Sequence, residues 1–194
     1  LSFDTAEAYA TPRRLALVVD GLPAQQPDLT EEKKGPKYGA PAQAIQGFMK
    51  ANGIKSLDKE AELRETDKGA FYFVVRHIAG RPSAEVLPEI LAKALTDLPW
   101  PKSMRWAADT QRWVRPLHGI LAVFDGKPLK GALAMGEGRA IAFANTTQGH
   151  RFLAPDDFAV SGFADYRAKL AEAKVVLDPA ERRATIAEQA AALG

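Results

Sequence analysis

Residues 62–78, "ELRETDKGAFYFVVRHI", constrain the fold more than any other part of the chain. Two runs of strand-forming residues flank Asp67-Lys68-Gly69, and a glycine in such a loop readily takes the left-handed conformation that closes a hairpin. In the second run Phe71, Phe73 and Val75 stand at alternate positions, so they share one face of a strand. The segment predicts an antiparallel β-hairpin.

Other alternating segments predict further antiparallel strands. Residues 5–21 contain two such runs, broken by Thr11-Pro12, and the second run places Leu15, Leu17 and Val19 on one face. Residues 120–134 predict a strand, a turn at Asp125-Gly126 and a second strand, and residues 139–152 predict one more.

Helical spacing of apolar residues occurs in three regions. Residues 42–53 form a short amphipathic run that ends at Asn52-Gly53, a typical C-terminal stop. Residues 83–98 form a longer run in which Pro88 is expected to mark the start of the helix or a kink. The pattern turns helical again from residue 161, and Asp178-Pro179-Ala180-Glu181 has a capping residue, a proline at the first position and a glutamate that can reach back.

The segment between the first strands and the first helix, residues 22–41, is polar and rich in proline and glycine. It has few apolar residues to bury, so it predicts a mobile loop. Exposed loops are preferred sites of proteolysis, so we expect trypsin to cut early at Lys33 and Lys34.

Composition excludes several classes of protein. Hydrophobic residues make up 46% of the 194 residues, enough for a sizeable core. The chain has no cysteine, which excludes disulfides, iron–sulfur clusters and thiol catalysis and fits the cytoplasm, where we place the protein. The net charge of +2 is too small for a polybasic protein, so an anion site would need local clustering. No apolar run is long enough to predict a membrane span.

The sequence carries no recognisable catalytic or metal motif. His77, His118 and His150 are far apart in the sequence and do not have metal-ligand spacing. Neither a G-x-S-x-G nucleophile elbow nor a G-x-x-x-x-G-K-[ST] phosphate loop is present. We therefore assign no catalytic residue, no metal ligand and no cofactor to this chain.

Residues 100–118 combine large aromatic rings with cations. Trp100, Trp106 and Trp113 all fall here, among five basic or titratable side chains: Lys102, Arg105, Arg112, Arg115 and His118. Such a mixture suits RNA, because guanidinium groups pair with phosphate and indoles stack on bases. The alternative is structural, with tryptophans in the core and arginines stacked over them.

Residues 146–155, "TTQGHRFLAP", form a second polar cluster. The structural interpretation is that Thr146 and Thr147 satisfy a strand end and that Phe152 and Leu153 anchor the segment. His150 and Arg151 remain candidates for contact with an anion or at an interface.

Several segments, taken in order, resemble the β subunit of bacterial heterotetrameric glycyl-tRNA synthetase near its N-terminus. These segments are "TPRRLA" at 11–16, "ETDKGAFYF" at 65–73, "GRPSAEVLPEIL" at 80–91, "LPWPKSMRW" at 98–106, "WVRPLHGILAVFDG" at 113–126, "TTQGHRFLAP" at 146–155 and "DPAERR" at 178–183. No single one is decisive, but the ordered set is specific and covers nearly the whole chain.

The resemblance implies that this chain is an N-terminal fragment of an auxiliary subunit. It implies partnership with the α subunit in an α2β2 enzyme and with tRNA(Gly), while glycine, ATP and Mg bind to α, where catalysis occurs. With this resemblance, His150 and Arg151 become candidates for architecture or for contact with tRNA or the partner subunit. The fragment alone is then expected to be inactive. The alternatives are a pure assembly module that holds α without touching tRNA, and an independent hydrolase that uses His150 with a nearby carboxylate.

The expected fold class is α+β, with a mostly antiparallel sheet and packed helices, followed by C-terminal helices. By resemblance, the sheet region is similar to a module of the phenylalanyl-tRNA synthetase β subunit. We expect an α+β domain over residues 1–160 and a helical segment over 161–194 that leads into further domains.

Overall fold

A computed structural model describes residues 1–193. Its strands are β1 (Thr5–Thr11), β2 (Arg14–Asp20), β3 (Leu29–Lys37), β4 (Glu62–Thr66), β5 (Gly69–Ile78), β6 (Met104–Arg105), β7 (Arg112–Trp113), β8 (Ile120–Leu121), β9 (Val123–Phe124), β10 (Lys127–Pro128), β11 (Ala132–Gly136), β12 (Arg139–Ala144), β13 (Thr146–Gln148) and β14 (Asp157–Ala159). Its helices are α1 (Ala42–Asn52), α2 (Leu57–Glu60), α3 (Ser83–Asp97), α4 (Phe163–Glu172) and α5 (Pro179–Leu193).

The chain divides into two compact units. Residues 26–81 form one unit, and residues 1–25 together with the chain from Pro82 onward form the other. We call them the inserted unit and the main unit, because the first interrupts the second in sequence. The units are divided at residues 25/26 and 81/82. The domain boundary predicted between residues 160 and 161 stays a prediction.

The inserted unit is a three-stranded antiparallel sheet in the order β3-β5-β4, with α1 packed on β3. The predicted hairpin is confirmed: β4 pairs with β5 from Thr66 opposite Gly69, and Gly69 has a φ of 105°. Phe71 and Phe73 do share a face, and cations cover it, with the Lys34 Nζ 3.8 Å from the centre of the Phe71 ring. Arg64 lies over Phe73.

The prediction of a mobile loop over residues 22–41 is wrong for much of its length. Residues 29–37 form β3, whose register places Glu31 opposite Arg76 and Lys33 opposite Val74. The ladder is irregular between Lys34 and Lys37, where Gly35 and Pro36 lie. An edge strand tolerates proline at such an irregularity, because proline has no N–H to donate to the ladder. Backbone pairing makes the early tryptic cuts expected at Lys33 and Lys34 unfavourable.

The main unit contains two apolar cores. The first core lies between α3 and the sheet β11-β12-β8, and its buried members are Ala122, Leu129, Leu133, Met135 and Phe143. The second core lies around α4, and its buried members are Val160, Tyr166, Leu170 and Leu177. Successive side chains of β8 point to opposite faces of the strand. Ile120 therefore packs against the first core and Leu121 against the second.

The β1–β2 hairpin closes over the second core with one face only. Tyr9 and Ala16 pack against that core, and the Tyr9 ring stacks on Phe163 at 5.3 Å. The opposite face carries Leu15 and Leu17, which are 59% and 65% exposed. The shared face predicted for these leucines is confirmed, and it faces solvent.

Helix ends follow the sequence signals with two differences. Pro88 lies inside α3, which runs from Ser83 to Asp97, so the proline is tolerated within the helix. Asp178 caps α5 as predicted, and its Oδ1 accepts hydrogen bonds from the backbone N–H groups of Ala180 and Glu181 at 2.7 and 3.3 Å. The Glu181 side chain pairs with Arg167 instead of reaching back.

The predicted α+β class is confirmed, and the sheets are antiparallel apart from the parallel pair β8–β12. The similarity to the phenylalanyl-tRNA synthetase module stays a prediction. Within residues 1–193, no helix combines the length and the apolar character that crossing a bilayer requires.

We predict that Gly35→Ala destabilises the inserted unit. A Cβ at this position would lie 2.6 Å from Cε1 and Cζ of the Phe48 ring, and such overpacking costs about 1–3 kcal/mol. Gly47→Ala, in α1, is the matched control, because its Cβ would meet nothing within 4 Å and alanine favours a helix. Urea unfolding measures both, and equal stabilities for the two variants would contradict the prediction.

We also predict an acid-labile contribution at the start of α4. The Asp165 carboxylate binds Lys169 and the backbone N–H of Ser161, and both interactions lower the pKa of Asp165 below the ordinary value for an aspartate. A lowered pKa in the folded state means that this stabilisation is present above the unfolded pKa and is lost as the pH falls through the folded one.

The free energy of unfolding of Asp165→Asn should therefore fall less on acidification than that of the wild type. Urea midpoints measured between about pH 6 and pH 2 test this. Asp156→Asn is the control, since Asp156 makes no side-chain hydrogen bond or ion pair within residues 1–193. An unchanged pH profile in Asp165→Asn would contradict the assignment.

Candidate functional site

The tryptophans of residues 100–118 form a structural scaffold in the main unit. Trp113 is buried, and the Trp100 ring meets it edge-on, with centroids 5.0 Å apart at 71°. The Trp106 Nε1–H donates to the Trp113 carbonyl at 3.2 Å. The buried Trp100 Nε1 has no partner in the described part of the chain. The structural interpretation of these rings is therefore the better one.

An ion pair with a buried carboxylate holds this scaffold to the sheet. The Asp109 carboxylate accepts hydrogen bonds from Nε of Arg139, at 2.7 Å, and from its Nη2. Next to it, the Thr110 N–H donates to the Met135 carbonyl at 2.7 Å, which ties the loop before β7 to β11. Removing Arg139 would leave a buried carboxylate without its cation, so Asp109 and Arg139 are structural residues.

Among the described residues 1–193, one basic side chain of the segment has partners and four have none. Arg112 donates to the carbonyl and Oγ of Ser103 at 2.8 and 3.2 Å. Within residues 1–193 the other four side chains make no hydrogen bond or ion pair, and all four are exposed: Lys102, Arg105, Arg115 and His118.

Arg105 and Arg112 lie directly opposite each other on β6 and β7. Like charges at opposed positions repel, unless an anion lies between them. Both line an open groove together with Ser103, Asp109 and Thr110. Glu137 lines the same groove, so its walls carry acidic as well as basic side chains.

The second cluster, residues 146–155, is held by an arginine from the first hairpin. Arg14, at the start of β2, donates from Nη1 to the Thr147 hydroxyl at 2.9 Å. Its Nη2 donates to the carbonyls of Gln148 and Gly149, the latter at 3.2 Å. We call this set of bonds the Arg14 clamp. The Thr147 hydroxyl, in the middle of β13, is thus satisfied by Arg14.

Gly149 and His150 shape the turn that follows the clamp. A Cβ on Gly149 would lie 2.7 Å from the Ala173 carbonyl oxygen, so only glycine fits there. The His150 N–H donates to the same carbonyl at 2.9 Å. The His150 Nδ1 accepts from the N–H groups of Phe152 and Leu153 at 3.3 and 3.2 Å.

The expectation that Phe152 and Leu153 anchor this segment is wrong. They are 73% and 70% exposed, and the anchors are the Arg14 clamp and the backbone of Ala173. Arg151 is exposed, and its guanidinium lies 4.5 Å from the centre of the Phe152 ring. The exposed tip of the segment is therefore apolar. It is formed by the side chains of Phe152 and Leu153, which follow His150 and Arg151.

This geometry does not support hydrolysis through His150. Its Nδ1 is occupied by backbone N–H groups, and within the described residues no carboxylate pairs with its ring. His77 contacts Thr30, and His118 is exposed. Residues 1–193 contain no group of three or more histidine, aspartate or glutamate side chains placed to hold a metal.

Sequence reasoning named the exposed basic residues but missed the residues that position them. Asp109 and Arg139 are 30 positions apart, and Arg14 and Thr147 are 133 apart. No local pattern links such pairs. For Arg14 a signal existed, because its segment "TPRRLA" and the segment "TTQGHRFLAP" belong to the same ordered resemblance.

Comparison with known proteins connects these features to one family. The family model described as glycyl-tRNA synthetase beta subunit matches residues 1–194. The chain is 48% identical over 205 residues to the glycine–tRNA ligase beta subunit of Rhodospirillum centenum, covering 96% of this chain and 29% of the relative. It is 47% identical over 193 residues to that of Paracoccus denitrificans, covering 100% of this chain and 28% of the relative.

The chain therefore belongs to the glycyl-tRNA synthetase β-subunit family, as the resemblance implied. It spans less than a third of the length of these relatives.

We predict that Arg14→Ala loosens residues 146–155 and destabilises the main unit. Three oxygens lose a charged donor, and hydrogen bonds to charged groups contribute about 1.5–3 kcal/mol. Arg14→Lys should restore little, because an ammonium cannot reproduce the planar fork. The free energy of unfolding and the hydrogen exchange of the 147–150 amides measure the effect.

Arg13→Ala is the control for the Arg14 variants. The Arg13 side chain is exposed and makes no hydrogen bond or ion pair within residues 1–193. If both alanine variants unfolded at the same urea concentration, the Arg14 clamp would have no energetic role.

Proposed function

We propose that this member of the glycyl-tRNA synthetase β-subunit family is the N-terminal part of a subunit that supports ATP-dependent attachment of glycine to tRNA(Gly). The relatives are named as beta subunits of glycine–tRNA ligase, and a beta subunit implies a partner α subunit. The proposal places glycine, ATP, Mg and catalysis on α in a cytoplasmic α2β2 enzyme, and gives this chain contacts with tRNA and with α. It expects the chain alone to be inactive in glycine activation.

One observation carries the tRNA part of the proposal: four basic side chains of residues 100–118 are exposed and pair with no group in the described part of the chain. A cation that pairs with no carboxylate keeps its full charge available for a phosphate. These side chains extend from a segment that Trp113 and Asp109 hold in place, so they are presented on a rigid support. Rigid presentation lowers the entropic cost of binding.

The expected contact is with the RNA backbone rather than with bases. The indoles pack on each other or donate to backbone, so they are not displayed for stacking. Contacts of arginine and lysine with phosphate position RNA without reading its sequence. The proposal therefore assigns this surface to affinity and orientation, not to recognition of a particular tRNA.

We predict that Arg105→Gln and Arg115→Gln weaken tRNA binding by the full-length enzyme. Removing one arginine–phosphate pair should flatten the slope of log affinity against log salt by roughly 0.7–0.9. Arg112→Gln should instead lower the melting temperature, because it removes the bonds to Ser103. tRNA affinity at several salt concentrations and thermal melting of each variant separate the two effects.

Co-purification with α serves as the control for assembly. Variants at Arg105 and Arg115 that keep the wild-type salt slope would remove the support for tRNA binding here. If these variants also failed to bind α, the pure assembly module would be the better description of this segment.

A further inference from the structure

The exposed turn at residues 150–154, which we call the Phe152 turn, has no role in the tRNA contacts proposed above. We propose that the Phe152 turn is a docking element for the α subunit, in which Phe152 and Leu153 enter an apolar pocket on that partner. This inference rests on the proposed function, since it assumes the partner subunit that the function requires.

The first reason is exposure. Phe152 and Leu153 are adjacent large apolar side chains, 73% and 70% exposed, although the backbone N–H groups of both residues bond to His150. Leaving two such side chains in water forgoes the gain of burying them. Unlike single apolar residues scattered over a surface, the two side chains form a contiguous apolar projection, the kind of feature that marks an interaction site.

The second reason is preorganisation. The His150 carbonyl accepts from the Ala154 N–H at 2.9 Å, which closes the turn, and the His150 Nδ1 accepts from the two N–H groups inside it. The Arg14 clamp fixes the residues before the turn, and the Ala173 carbonyl fixes its base. A tip held in this way loses little conformational entropy on binding.

The third reason is charge, which separates a protein partner from RNA. The turn has one cation, Arg151, and the chain immediately after it has two exposed carboxylates, Asp156 and Asp157. The charge of Arg14 is directed at Thr147 and at backbone oxygens. Glu172 and Lys174, on either side of Ala173, are exposed and cancel each other in charge. A phosphate backbone would therefore meet more negative than positive charge here, and an apolar pocket with a mixed polar rim is the better match.

Arg151 completes the tip. Its guanidinium lies over one face of the Phe152 ring, which orients both side chains and leaves the rest of the ring for a partner. Aromatic residues and arginine are the residue types that dominate binding energy at the centre of protein interfaces. The pocket on α is therefore apolar, with an acceptor at its edge for Arg151.

The test uses full-length β subunit and its α subunit. Phe152→Ala/Leu153→Ala should weaken α binding by about 30-fold or more, the size expected when hot-spot side chains are truncated. Tyr38→Ala/Leu63→Ala is the matched control: it removes an aromatic and a leucine that are 63% and 51% exposed in the inserted unit. Sedimentation of α–β mixtures over a concentration series gives both affinities.

Three results would overturn the inference. They are wild-type α affinity in the Phe152/Leu153 variant, an equal loss of affinity in the control pair, and a loss of tRNA affinity with α binding intact, which would make the turn an RNA-binding element. A melting temperature near that of the wild type shows that the variant is folded. The salt dependence of tRNA binding by the Arg105 and Arg115 variants tests the tRNA proposal independently. The docking inference can therefore fail while the tRNA proposal holds, and the reverse.

Discussion

The Arg14 clamp is the interaction on which the arrangement of the main unit depends. One guanidinium at the start of β2 holds three oxygens from residues 147–149, so it fixes the first hairpin against the chain that leads into the Phe152 turn. The same hairpin packs Tyr9 and Ala16 on the second core. Because a guanidinium has fixed donor directions, this joint sets an angle as well as a distance.

Local signals were sufficient for the elements that local energetics decide. Gly69 closes the β4–β5 hairpin and Asp178 caps α5, because the turn and the cap are satisfied within a few residues. The strand at residues 29–37 could not be predicted in this way. Its own residues, "LTEEKKGPK", have low strand propensity, and pairing with the apolar strand β5 decides its conformation.

The candidate site was predictable in composition but not in arrangement. The sequence identified the cations of residues 100–118 and the polar run at 146–155. It could not separate Arg112, which bonds Ser103, from Arg105, which has no side-chain partner within residues 1–193. It also predicted that Phe152 and Leu153 anchor the segment, because apolar residues beside a polar run resemble anchors. The anchoring is done by Arg14, which is far away in the sequence.

The two proposed surfaces differ in the physics that would govern them. Binding through exposed cations depends on the release of counterions and weakens steeply as salt rises. Binding through the Phe152 turn depends on buried apolar area, which salt hardly screens. If both proposals hold, a subunit that keeps α bound while tRNA binds and leaves would benefit from this difference. Its assembly can stay tight under ionic conditions that keep tRNA exchange fast.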